Sequence, residues 1–206
     1  MRPSSNNQGG LRSFIALELP LETRSQVAAY CRDAGLDTLP GLRMVRPEQL
    51  HLTLHFLGNQ PAVLLRRLAD CLHQRIPPTP VFPLTLRGLG VFPRLADPRV
   101  LWLGFEPSRP LLDLHRQIGN CLAELAIVPD RKPFRAHLTL ARIPAPLDPG
   151  ASQKLAQLIK VSTNLLVAAF DAYQVVLFKS ELKPNGPAYT ALSSHALTDA
   201  PPSGMV

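Results

Sequence analysis

No apolar run in this sequence approaches the roughly 20 residues that a membrane-spanning helix needs, which argues against a helical integral membrane protein. The first ten residues, Met1 to Gly10, are polar with Asn and Gly and lack the apolar core of a signal segment. Cysteine is scarce. The three present, Cys31, Cys71 and Cys121, are odd in number and show no C-x-x-C spacing, so no disulfide framework is written into the chain. All three fall in expected helices and read as buried, reduced thiols without a positioned base. The sequence also lacks G-x-S-x-G, G-x-x-x-x-G-K-[ST] and G-x-G-x-x-G, leaving no support for a serine nucleophile or for ATP-driven chemistry. These absences together lead us to expect a soluble cytoplasmic protein.

What is present is a chain of 206 residues, 46% apolar and 18% charged, the balance of a globular domain rather than a disordered one. The formal charge is +7 and most of the basic residues are arginine. Arginine is shaped for bidentate phosphate contact, which makes a polyanionic partner plausible, although basic proteins without one are common.

Periodicity places a flexible leader over residues 1–11, then a strand from Ser13 to Leu19 stopped by Pro20, and a helix from Leu21 to Ala34 punctuated by Gly35. A short strand over Gly41–Arg46 leads to a longer one over Leu50–Leu57, and a helix over Ala62–Arg75 carries Leu65, Leu68 and Leu72 on one face. Phe82–Val91 alternates as a strand, Phe92–Pro98 reads as a loop, and Val100–Phe105 is a strand apolar on both faces. A helix over Pro110–Ala126 follows, then a basic loop Arg131-Lys132-Pro133-Phe134-Arg135 and a strand over Ala136–Ile143. After a helix over Ser152–Val161, Leu165–Leu177 and Tyr189–Leu197 read as closing strands around the turn Lys183-Pro184-Asn185-Gly186. The order of elements repeats once. We therefore expect an α+β fold of two antiparallel-sheet lobes with outer helices and a central cleft, one bilobal domain over residues 12–198, and a loose tail over 199–206.

The repeat carries one tetrapeptide twice, His51-Leu52-Thr53-Leu54 and His137-Leu138-Thr139-Leu140. In a strand the His and Thr of each copy share one face and the leucines anchor the other. Extending that alternation puts His55 beside His51 and Thr53, and Phe56 on the core side. A single His-x-Thr means little, but two identical copies at equivalent places in two similar halves point to chemistry. A metal site fits poorly, because His51 and His55 lie roughly 13 Å apart along a strand and neither copy contains a carboxylate. Two imidazoles suit a general acid and a general base, and two hydroxyls suit the non-bridging oxygens of a phosphodiester, with no cofactor.

On these motifs, with Phe14-Ile15-Ala16-Leu17, Leu39-Pro40-Gly41-Leu42-Arg43, Leu89-Gly90-Val91-Phe92-Pro93, Val100-Leu101-Trp102-Leu103-Gly104, Pro133 to Arg142 and Ser180-Glu181-Leu182, the chain resembles the two-histidine phosphoesterase superfamily. Within it, the chain is similar to the RNA 2',3'-cyclic phosphodiesterases historically called 2'-5' RNA ligases. The resemblance implies hydrolysis of a terminal 2',3'-cyclic phosphate to a 2'-phosphomonoester, with His51 as proton donor and His137 as proton acceptor; the residues themselves do not say which is which. It further implies phosphate contacts from Thr53, Thr139 and Arg142, RNA ends (tRNA fragments among them) as partners, 2'-5' ligation in reverse, and neither metal nor cofactor. Nothing demands more than a monomer. His55, Phe134 and Arg135 are candidates for RNA contact, Phe134 by stacking from a loop beside the cleft. Phe178 departs from the family, where tyrosine is frequent. His73, His115 and His195 read as structural. Two other readings remain open: a non-catalytic RNA-end binding protein, and a phosphodiesterase acting on a small cyclic nucleotide.

Overall fold

The computed structural model describes residues 10–76, 79–129, 133–183 and 186–198. Most of the expected leader, Arg131 and Lys132 of the basic loop, Pro184 and Asn185 of the last turn, and the expected tail lie outside the described residues.

The chain runs β1 (Leu11–Glu18), α1 (Leu21–Asp33), β2 (Arg43–Met44), a 3₁₀ turn (Pro47–Gln49), β3 (His51–Gln60), α2 (Ala62–Arg75), β4 (Phe82–Arg94) and β5 (Asp97–Phe105). It continues through α3 (Arg109–Glu124), β6 (His137–Arg142), α4 (Pro149–Ser162), β7 (Leu166–Ala172), β8 (Gln174–Lys183) and β9 (Gly186–Ala196). Leu11, expected in the leader, opens β1. The loop expected at Phe92–Pro98 is instead the tip of a β4–β5 hairpin that turns at Leu95 and Ala96. The stretch expected as one strand over Leu165–Leu177 breaks at Tyr173 into β7 and β8, which lie at opposite sides of the sheet. Tyr173 interrupts a stretch that, read locally, contains neither Gly nor Pro to stop it.

All strand pairings are antiparallel, in one sheet of order β7-β4-β5-β6-β3-β1-β8-β9, with β2 added to β6. The sheet curls into a half-barrel. It consists of a four-stranded half, β3-β1-β8-β9, and a half of β7-β4-β5-β6 with β2 paired to β6, joined between β3 and β6 at a single residue pair, Leu52 with Leu138. These are the leucines that follow the two histidines, so the weakest seam in the sheet runs between the two motifs. The sequential halves do not each form a lobe. β4, from the first half, pairs with β5 and β7, whereas β8 and β9 complete the half that contains β1 and β3. The helices cross over too: α1 leaves β1 but packs on β7, and α3 leaves β5 but packs on β3 and α2.

Both exchanged helices end in the same way. At α1, Leu36 N–H bonds to Cys31 and Gly35 N–H to Arg32, with Gly35 at φ +65°. At α3, Ile127 N–H bonds to Leu122 and Ala126 N–H to Ala123, with Ala126 at φ 54°. Each is a Schellman stop that drives a buried residue, Leu36 or Ile127, under the sheet. The main core lies between helices and sheet and takes every second strand residue, among them Ile15, Leu17, Leu52, Leu101, Leu103, Leu138 and Leu177. A small second cluster, Phe14, Ala16, Val176 and Phe178 with Tyr189 against it, occupies the other face of one half. No helix among the described residues is long and apolar enough to cross a membrane.

Candidate active site

The helix-free face holds a cleft of about 1250 Å³ spanning the seam, lined by His51 and Thr53 from β3 and by His137, Thr139 and Arg142 from β6. The leucines of both motifs are buried at 4% exposure or less, so the His and Thr side chains are fixed to the opposite face by the pleat. Neither threonine hydroxyl makes a hydrogen bond to another described residue.

The two imidazoles are held by the same local device. His51 Nδ1–H donates to the main-chain carbonyl of Gln49 at 2.7 Å, and His137 Nδ1–H to that of Arg135 at 2.7 Å. A carbonyl oxygen can only accept, so each ring carries its proton on Nδ1 when neutral, leaving Nε2 free as base or, once protonated, as acid. Burial pushes the His51 imidazolium down to about 4; the Gln49 carbonyl opposes this, and the charges of His137, Arg24 and Arg142 add to it. Burial lowers His137 as well, against its bond to Arg135.

The supports behind the two bonds differ. Gln49 ends the 3₁₀ turn, and its side-chain amide donates to the Pro187 carbonyl at the start of β9. The His51 ring lies against Phe14 (centroids 4.9 Å apart) and edge-on to Tyr189 (5.2 Å). Arg135 sits in the loop before β6, and that loop is held by a stack of three rings. Phe134 lies on His115 of α3 at 4.1 Å, and His115 lies on His55 of β3 at 4.0 Å. His55 Nε2–H donates to the His115 carbonyl at 3.0 Å. Burial lowers both histidines, His115 to about 4, and the repulsion that a protonated His55 would exert lowers His115 further, so the stack disfavours protonation.

His55 and Phe56 thus lie opposite to the faces expected of them. His55 is buried beneath α3 at 7% exposure, and Phe56 is half exposed and lines the cleft. The cause is a β-bulge. Ala16 pairs with Thr53 but Ile15 with His55, so Leu54 is an extra residue and alternation restarts after it. The second copy has the same defect, since Leu101 pairs with Ala141 and Trp102 with Thr139, leaving Leu140 extra. The bulge therefore brings the fifth residue after each histidine, Phe56 and Arg142, onto the cleft face. Phe134 faces the His115 stack rather than the cleft, and Arg135 contributes its carbonyl while its side chain is exposed outside the cleft lining.

Sequence reasoning missed Phe56, Gln49, Tyr189 and a rim of cations from Arg12, Arg43, Arg46 and Lys183. Arg43 and Arg142 face each other across the β2–β6 pair. This positive field suits a polyanion. Among the described residues no group of three or more His, Cys, Asp or Glu side chains is placed to hold a metal ion.

Residues 23–183 match the model of the 2'-5' RNA ligase superfamily. Over 180 residues the chain is 33% identical to an RNA 2',3'-cyclic phosphodiesterase of Methanothermobacter thermautotrophicus, covering 87% of this chain and 95% of that protein. It is 33% identical over 195 residues to the protein of the same name from Thermus thermophilus, covering 91% and 90%. Among solved structures, TT0787 of Thermus thermophilus is similar at TM-score 0.75 and 31% identity, covering 92% of this chain and 99% of that one. E. coli LigT complexed with 3'-AMP is similar at TM-score 0.72 and 28% identity, covering 93% and 100%.

Proposed function

The chain belongs to the 2'-5' RNA ligase superfamily, and from that premise we propose that it hydrolyses the terminal 2',3'-cyclic phosphate of RNA to a 2'-phosphomonoester without a metal ion. One observation carries the reading: two imidazoles, each with Nδ1 locked to a carbonyl, share one basic cleft with two uncommitted threonine hydroxyls.

In this reading a water oxygen attacks phosphorus in line with the 3' oxygen. A new P–O bond forms as the P–O3' bond breaks. His137 Nε2 takes the water proton, and protonated His51 gives its Nε2 proton to the departing 3' oxygen, in the roles carried by the family resemblance. The proton gained by His137 and lost by His51 is exchanged with solvent before the next turnover. Thr53 and Thr139 donate to the non-bridging oxygens as charge builds on them, and Arg142 offsets that charge. Phe56 offers an apolar face to the terminal base. The entering phosphodiester anion favours the imidazolium forms that burial disfavours. When the 5'-hydroxyl of another RNA attacks phosphorus in place of water, the P–O3' bond breaks in the same way, His137 takes the hydroxyl proton and the cyclic end is joined through a 2'-5' linkage, a step that runs in either direction without ATP. A monomer acting in the cytoplasm on RNA ends, including tRNA fragments, completes the proposal.

A short RNA ending in 2',3'-cyclic phosphate tests it, incubated with and without a strong chelator. The expected product is the 2'-phosphomonoester at an unchanged rate. A 3'-phosphate product, loss of activity on chelation, or tight binding with no product would each overturn it, the last in favour of an RNA-end binding protein. Faster turnover of a mononucleoside cyclic phosphate than of the oligonucleotide would move the substrate from RNA to a small cyclic nucleotide.

A further inference from the structure

The two histidines differ in the aromatic ring that meets each of them edge-on. His137 has Phe92, with centroids 5.0 Å apart and planes at 87°. His51 has Tyr189, at 5.2 Å and 89°. Phenylalanine satisfies the packing requirement on one side, so the hydroxyl on the other asks for a different explanation. Tyr189 lies on β9 opposite Ser180, is half-buried, and lines the cleft. Its ring is also edge-on to Phe14 at 5.1 Å, and its hydroxyl makes no hydrogen bond to another described residue.

Two features fix where that hydroxyl stands. The Gln49 amide holds Pro187, two residues before Tyr189, while the Gln49 carbonyl holds Nδ1 of His51. One residue therefore sets both the imidazole and the strand that carries the phenol. The phenol is also close enough to Arg142 and Arg12 to feel their charges, although burial outweighs them and keeps it protonated. It is a donor in a cationic pocket, across the seam from β6.

We propose that Tyr189 is a further catalytic residue, whose O–H donates a hydrogen bond to a non-bridging phosphate oxygen on the His51 side of the cleft. This rests on the phosphodiesterase reading above. Thr53 and Thr139 approach from the two motifs, and Tyr189 approaches from the outer strand of one half only. Phe14 and Phe178, the other two rings packed around His51, carry no hydroxyl, so of these three described rings Tyr189 alone offers an O–H.

The test is Tyr189→Phe, which keeps the ring and its contacts with His51 and Phe14. On RNA ending in 2',3'-cyclic phosphate, kcat should fall by about 10–100-fold, the scale of one lost donor to a charged oxygen. KM should stay within twofold, and the pH dependence of kcat/KM should keep its shape. A kcat within twofold of wild type would reduce Tyr189 to a packing residue. A fall in kcat accompanied by a displaced acid limb would make it a support for His51, also against the proposal. Wild type run in the same assay separates the two readings, because its failure to turn over counts against the phosphodiesterase alone. In that event, affinity for an RNA ending in 2'-phosphate decides: weaker binding by Tyr189→Phe supports the contact, and equal binding overturns it.

Discussion

The β3 and β6 copies of the His-Thr unit are identical in sequence, share a bulge at their final leucine, and lock the imidazole through the same carbonyl bond. Beyond that they diverge. His51 is set in an aromatic wall and held from a 3₁₀ turn that Gln49 ties to β9. His137 is held from a loop whose anchor is a ring stack shared with α3 and β3 of the other half. The local lock is a main-chain device and can be repeated wherever a strand begins. The supports are tertiary and need only hold a carbonyl in place, so each half uses what its neighbours offer. In both settings burial lowers the proton affinity of the imidazole, His51 to about 4.

The strongest way to break the comparison is to remove either imidazole. His51→Ala and His137→Ala should each lower kcat on a cyclic-phosphate RNA by about 10²–10⁴-fold, the usual contribution of a general acid or base, with melting temperature little changed. If one variant kept near-normal turnover, the two units would not be partners.

Phe134→Ala probes the support of one unit alone. The substitution removes the outer ring of the stack without touching the cleft, so kcat should fall about tenfold as the Arg135 carbonyl loses its position, in line with the sensitivity of catalysis to small misplacements. Steady-state kinetics and the histidine resonances would show this: the His137 signals should shift while those of His51 stay. Equal displacement of both would mean that the stack supports the cleft as a whole.

The pH dependence sharpens the comparison further. Burial lowers both imidazoles, His51 to about 4. As pH rises through these values the rings lose their protons, and the reaction needs one protonated and one neutral. The profile of kcat/KM, which reports the free enzyme, should therefore be a bell centred on the acid side of the ordinary imidazole value of roughly 6.5. Bound phosphate raises both groups, so the kcat maximum should lie at higher pH than the kcat/KM maximum. A kcat/KM optimum above pH 7 would contradict the shared burial of the pair.

The smallest effect concerns the helix stops. Gly35 takes the left-handed conformation freely, whereas Ala126 takes it at a cost. Ala126→Gly should stabilise the protein by about 1 kcal/mol, raising Tm by roughly 2–4 °C in a scanning calorimeter, with unchanged kinetics. A lower Tm would mean that the alanine methyl is packed to advantage.

Much of this was legible in advance. The apolar stripe over Leu65, Leu68 and Leu72 placed α2 at its observed ends, and the duplicated tetrapeptide located both histidines and both threonines in the cleft. These features depend on local periodicity, which a sequence carries within itself. Arg142 came from family resemblance; strict alternation through His137-Leu138-Thr139-Leu140 would have turned it away from the cleft. Only the tertiary structure returned it there, together with Phe56, and buried His55. The extra residue in a bulge is defined by what the partner strand omits, so Leu54 and Leu140 are unmarked in their own strand. The exchange of α1 and α3, the break at Tyr173 and the arrival of Tyr189 beside His51 are likewise decisions about distant partners. The sequence by itself determined which groups could do the chemistry, because residue identity and period are local properties. Which of them meet was decided by the pairing of strands far apart in the chain, where the order β7-β4-β5-β6-β3-β1-β8-β9 joins the two motifs at one pair of leucines.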